Sequence, residues 1–162
     1  MAAIFGVFGA SGFGREVMPL VRASVDRAIT DYVFVDDNPA AQELNGHRVL
    51  TFQEFIKSRA EKRMIVAIAD PKVRRILEER CTNDGINIGK ITAENTVIMD
   101  RVQIGAGAIL CPFVTLTSNI KIGKSFHANI YSYVAHDCII GDYVTFAPSV
   151  KCNGNVHIED NA

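Results

Sequence analysis

His136 and Asp137 stand side by side in the segment VAHDCIIGD, where they interrupt an apolar run. A neutral imidazole titrates near neutrality and can take a proton from an attacking amine or hydroxyl. A carboxylate beside it can fix the tautomer of the ring and stabilise the imidazolium that forms. The same two residues also fit an ordinary turn, where polar side chains are common and Asp especially so. No Ser or Cys is obviously coupled to His136, so direct transfer between two substrates fits better than a covalent intermediate on the protein.

A second place for chemistry is GASGFG, residues 9–14. It reads G-x-x-G-x-G rather than the dinucleotide pattern G-x-G-x-x-G. It is either a tight strand-to-helix turn that needs small residues, or a place where Gly12, Phe13 and Gly14 let an anionic group approach a helix N-terminus. Asp36 and Asp37 close the nearby segment VFVDD. Metal chemistry has no support. A tetrahedral site built on histidines needs three that converge, and His127, His136 and His157 share no such spacing. Cys81, Cys111, Cys138 and Cys152 form no C-x-x-C pair.

Two kinds of element must position these residues. In the first part of the chain AIFGVF (3–8) reads as a buried strand, and REVMPLVRASV has Val17, Leu20, Val21 and Val25 at helical spacing. YVFVDD and MIVAIAD (64–70) read as further strands. Asp70–Pro71 suits an N-cap followed by Pro at the first helical position, opening a helix PKVRRILEERCTN that stops before Gly85. Strand–helix–strand alternation implies a small parallel sheet of Rossmann-like type over residues 1–87.

From residue 88 to 162 the helical period gives way to a period of six. Every sixth residue from Ile98 to Ile158 is apolar, eleven in register without an insertion. A second column four places on, from Val102 to Ala162, is small or apolar. Ile104–Gly105, Ile122–Gly123 and Ile140–Gly141 add a period of eighteen. Three six-residue sides then make one triangular turn, and stacked turns make a parallel β-helix with the apolar columns filling the prism. His136 and Asp137 fall at the third and fourth places of a hexad, the polar turn. His127 and His157 fall at the sixth, which predicts that both point outward to the surface.

With this architecture the chain resembles a known family of hexapeptide-repeat acyltransferases. GASGFG and VFVDD before a hexapeptide β-helix carrying HDCIIG resemble the branch that holds the bacterial sialic-acid O-acyltransferases and the nucleotide-aminosugar N-acetyltransferases. The resemblance implies a left-handed β-helix and acetyl-CoA as co-substrate. It also implies a nucleotide-linked amino sugar as acceptor and a homotrimer with active sites between neighbours. By the same resemblance His136 is the base and Asp137 orients it. The GASGFG turn and the acids Asp36 and Asp37 bind the nucleotide, Phe13 standing where many members have His. Asn129, seven residues before His136, matches a substrate contact, and Gly154 a backbone contact with acetyl-CoA. Thr145 sits where some relatives place a second His near the cofactor. N-acylation is the leading reading. O-acylation of a sialic-acid-like or other sugar, and a non-catalytic nucleotide-sugar-binding scaffold, stay open.

Composition narrows the rest. Lys and Arg number 17 against 18 Asp and Glu in 162 residues, a net charge of −1, which argues against nucleic-acid or anionic-membrane partners. The apolar runs are strand-length, too short to span a bilayer. The start lacks the charged and apolar regions of a secretory signal. Four unclustered thiols then suggest a cytoplasmic protein. The last hexad is incomplete, which leads to the expectation of a C-terminally truncated chain.

Overall fold

The computed structural model describes residues 3–25 and 29–162, with Thr30 described by its backbone alone. The chain divides into two compact units, Met1–Gly89 and Lys90–Ala162.

The first unit alternates strands and helices: β1 (Ala3–Phe8), α1 (Gly12–Ser24), β2 (Ile29–Val35), β3 (Glu43–Leu44), β4 (His47–Leu50), α2 (Phe52–Lys57), β5 (Glu61–Val66), α3 (Pro71–Asn83) and β6 (Asn87–Ile88). They form one sheet in the order β3-β4-β2-β1-β5-β6. β1 lies parallel to both β2 and β5 and is buried along its whole length. That is why it reads as a continuous apolar run rather than an alternation. The small parallel sheet expected from the sequence carries one antiparallel edge strand. β3 pairs antiparallel to β4 through a tight reversal at Asn45 and Gly46, both at positive φ. A two-residue edge strand carries too little periodicity to be legible in the chain. α2 was also not anticipated, although TFQE is a capping box. Thr51 accepts from the Glu54 N–H, and Glu54 accepts from the Thr51 N–H. α3 starts as expected, with Asp70 accepting from the N–H groups of Lys72 and Val73, and the chain leaves it through Gly85 at φ 70°. Phe8, Val33, Val35, Phe52, Phe55, Met64 and Val66 fill the core.

The second unit is a three-sided, left-handed parallel β-helix. Each side is a four-stranded sheet of very short strands whose partners lie eighteen residues apart, as in Ile109↔His127, Thr115↔Tyr133 and Lys121↔Ile139. Leu110, Leu116, Ile122, Ala128, Val134, Ile140 and Phe146 point into the prism and are buried. Every sixth residue from Arg101 to Asn161 has a left-handed backbone, Gly107 among them, and each marks a corner. The eighteen-residue Ile–Gly period has a steric cause. A Cβ at Gly105 would come within 2.5 Å of the Gly123 carbonyl, and one at Gly141 within 2.7 Å of the Asp160 nitrogen. At that corner successive coils stack too closely for a side chain.

His127 does not lie on the surface as expected. It is 1% exposed, and Ile91 and Ile109, below it in the same outward column, are buried too. Hexad position sets the direction of a side chain, not whether that face of the prism is open to water. His157 is exposed, as anticipated.

Candidate active site

His136 and Asp137 sit at a corner of the prism, half exposed. In a regular strand, neighbouring side chains leave on opposite faces. Asp137 has φ 59°, and this left-handed break brings its carboxylate beside the ring of the preceding residue. His136 Nδ1 is 2.8 Å from Asp137 Oδ2. A carboxylate can only accept, so Nδ1 is the donor, and in the neutral ring this tautomer puts the lone pair on Nε2. The backbone beneath is held from both sides. The Asp137 N–H donates to Ser118 O (3.0 Å) in the coil before, and Asn155 N–H donates to His136 O (2.9 Å) from the coil after.

Gly154 lies one coil beyond His136 in the same column. A Cβ there would come within 2.6 Å of His136 Cε1 and 2.7 Å of Nε2. The imidazole therefore rests against the bare backbone at Gly154, with Nε2 at that edge. Behind the corner, Tyr133 Oη donates to Asn153 Oδ1 (2.7 Å), and the Cys138 thiol donates to Asn153 O (3.2 Å). Cys138 and Cys152 are both buried, their sulfurs 3.9 Å apart. Burial, reinforced by the Cys138 thiol, pushes the Cys152 thiol up to about 11, so it is not a thiolate near neutrality. Among the described residues no Ser, Thr or Cys side chain hydrogen-bonds the His136 ring, an arrangement suited to proton transfer rather than to an activated protein nucleophile.

The other candidates of this unit lie elsewhere on the prism. Asn129 is at the corner that follows the strand His127–Ala128, and its side chain accepts from the Ile130 N–H (3.2 Å). Thr145 is within a strand, paired with His127. One prism thus brings together His136, Asp137 and Gly154, and it does not bring Asn129 or Thr145 to them. His127, His136 and His157 occupy two different sides and a corner, and no metal-binding cluster of His, Cys, Asp or Glu occurs among the described residues.

In the first unit the turn after β1 is built around Gly9, at φ 116°, whose N–H donates to Val35 O. Ala10 N–H donates to Asp36 Oδ2 (3.2 Å), and Asn38 N–H to Asp36 Oδ1 (2.9 Å). Asp36 therefore braces the turn. Asp37 forms an ion pair with Arg80, whose guanidinium lies 4.0 Å over the Phe52 ring. This partner was not anticipated, because 43 residues separate it from Asp37. The three residues after the turn differ in kind. Gly14 is buried, and a Cβ on it would overlap the Gly9 carbonyl, so it is required for packing α1 onto β1. Gly12 is exposed, and a Cβ there would meet only the tip of the Arg15 side chain at 4.0 Å; Ser11, the N-cap, makes no capping bond with its side chain. The end of α1 thus presents the Ser11 hydroxyl beside an exposed Gly12, at a helix N-terminus whose dipole favours an anion.

A paired substitution separates the two glycines. Gly14→Ala is expected to cost about 3 kcal/mol, the upper part of the range for overpacking, read as a lower denaturant midpoint. Gly12→Ala is expected to keep the wild-type midpoint. An unchanged midpoint for Gly14→Ala would refute the packing role.

Comparison with known proteins places the chain. Residues 5–81 match the PglD N-terminal domain family. A GDP-perosamine N-acetyltransferase of Escherichia coli O157:H7 is 48% identical over 163 residues, covering 98% of this chain and 74% of the relative. The chain belongs to the nucleotide-aminosugar N-acetyltransferase family. The solved structure of WeeI from Acinetobacter baumannii AYE, 54% identical, superposes with a TM-score of 0.92 over 99% of this chain and 76% of that one. PerB from Caulobacter crescentus, solved in complex with CoA and GDP-perosamine, has the same fold, with a TM-score of 0.84 at 23% identity over 96% of this chain and 73% of PerB. As a member of this N-acetyltransferase family the protein is an acyltransferase, and the combination of a strand–helix unit with a hexapeptide β-helix is shared with these relatives.

Proposed function

We propose that this acyltransferase moves the acetyl group of acetyl-CoA to the amino group of a nucleotide-linked amino sugar, with GDP-perosamine the first candidate. The observation that carries the reading is the His136–Asp137 pair at a half-exposed corner, with Nδ1 turned to the carboxylate and Nε2 pointing away from it. The E. coli relative, by its name, acts on GDP-perosamine.

In the reaction the sugar amine attacks the thioester carbonyl carbon, and His136 Nε2 takes the proton the nitrogen must lose. The imidazolium that forms is stabilised by the Asp137 carboxylate at Nδ1. The tetrahedral carbon then expels the CoA sulfur, which takes the proton from Nε2, leaving an amide and free CoA. The first unit holds the nucleotide at the open end of α1, between Ser11, Gly12, Phe13 and the braced acids Asp36 and Asp37. Gly154 offers backbone to acetyl-CoA as well as room for the ring.

We further infer a homotrimer, because Asn129 and His136 occupy different corners of one prism and would meet only across neighbours. Phe113, Ile130 and Tyr131 are exposed on the Asn129 corner, with Phe113 and Tyr131 stacked at 4.9 Å. Contact between protomers would cover this apolar surface. No helix of the described chain is long and apolar enough to cross a membrane. Acetyl-CoA and nucleotide sugars are cytoplasmic metabolites, and we place the protein with them.

The deciding experiment mixes the protein with acetyl-CoA and GDP-perosamine and follows free thiol. Stoichiometric thiol release with a product resistant to hydroxylamine is expected, because amides survive hydroxylamine and esters do not. No release with GDP-perosamine or other nucleotide-linked amino sugars would overturn the reading. A hydroxylamine-labile product would replace it with O-acylation.

A further inference from the structure

Arg101, Gln103, Asn119 and Lys121 line a groove of about 220 Å³ on the β-helix. All four are exposed. Gln103 and Lys121 are direct partners in adjacent coils. Arg101 and Asn119 are stacked likewise, both at left-handed corners, with Ile120 N–H donating to Arg101 O (3.2 Å). The four therefore stand on a quadrilateral roughly 4.8 Å between coils and about 6.6 Å along the chain, with the two cations on one diagonal and two amides on the other.

Neither cation has an ion-pair partner among the described residues. Isolated surface charges are common and usually just solvated. This pair differs in where it stands. The Arg101–Asn119 column continues into Asp137, whose N–H donates to Ser118 O beside Asn119, and the Gln103–Lys121 column continues into Ile139. The groove thus opens one coil before the base, on the same corner. The Asp137 carboxylate, which would repel an anion, is turned onto the His136 ring. A guanidinium, an ammonium and two amides around one depression suit a group with several anionic oxygens.

We propose that this groove binds the diphosphate of one of the two substrates while the reacting end of that substrate reaches His136. The inference rests on the acetyl-transfer reading above, and both substrates of that reaction carry a diphosphate. Inorganic pyrophosphate titrated calorimetrically into the full chain is the direct test. Saturable binding is expected, weakened at least tenfold in the double variant Arg101→Asn, Lys121→Gln, in which Asn suits the left-handed position. No saturable binding, or equal binding by a folded double variant, overturns the proposal. This readout needs no turnover, so it stands apart from any failure of the acetyl-transfer reading. Steady-state kinetics identify the source. A KM about tenfold higher for the nucleotide sugar alone assigns the groove to its diphosphate, and the same rise for acetyl-CoA alone assigns it to CoA. Unchanged KM for both overturns it.

Discussion

His136→Ala lowers kcat by about 10²–10⁴-fold, the range that general acid–base catalysis supplies. The KM for the nucleotide sugar changes little, because the base does not take part in holding the ground state. The fold survives, since the side chain is half exposed and the corner is pinned by backbone bonds from Ser118 and Asn155 rather than by the ring. Asp137→Asn costs less. Asn is at home at φ 59° and keeps the shape, while losing the charge that stabilises the imidazolium. Initial rates with acetyl-CoA, monitored as free thiol, check both. A folded His136→Ala protein with near-normal kcat would reduce the pair to turn chemistry.

The second large effect is expected at a residue with no functional group. Gly154→Ala places a methyl where the His136 ring lies, within 2.6–2.7 Å of Cε1 and Nε2. The ring is free to swing outward, so the β-helix keeps its stability while the base leaves its position. Misplacement of a catalytic group by about 1 Å can cost roughly 10²-fold, and a kcat loss of that order is expected. If Gly154 served acetyl-CoA alone, the substitution would instead raise the KM for acetyl-CoA at unchanged kcat. The split between kcat and KM therefore tells the two roles apart.

Much of this protein is legible in its chain. The period of six is an arithmetic property, and eleven apolar residues in register leave a triangular coil as the one way to bury them together. The eighteen-residue glycines mark a corner too tight for a Cβ. Asp70–Pro71 and Gly85 delimit α3 because caps are local chemistry. His136 beside Asp137 was visible because adjacent residues need no fold to be near one another.

What the chain alone could not decide depends on distance across the fold. Whether Asp137 meets the ring depends on a left-handed backbone that eleven corners share, ten of them without glycine. The ion pair of Asp37 with Arg80, the bracing of the turn by Asp36 and the packing demand at Gly14 join residues from different elements. His127 was misplaced because hexad position sets direction but not covering. Asn129, near His136 in sequence, is separated from it by a side of the prism, because six residues per side send neighbours in the chain to different corners. Gly154, eighteen residues away, touches it, because one full turn returns the chain to the same corner.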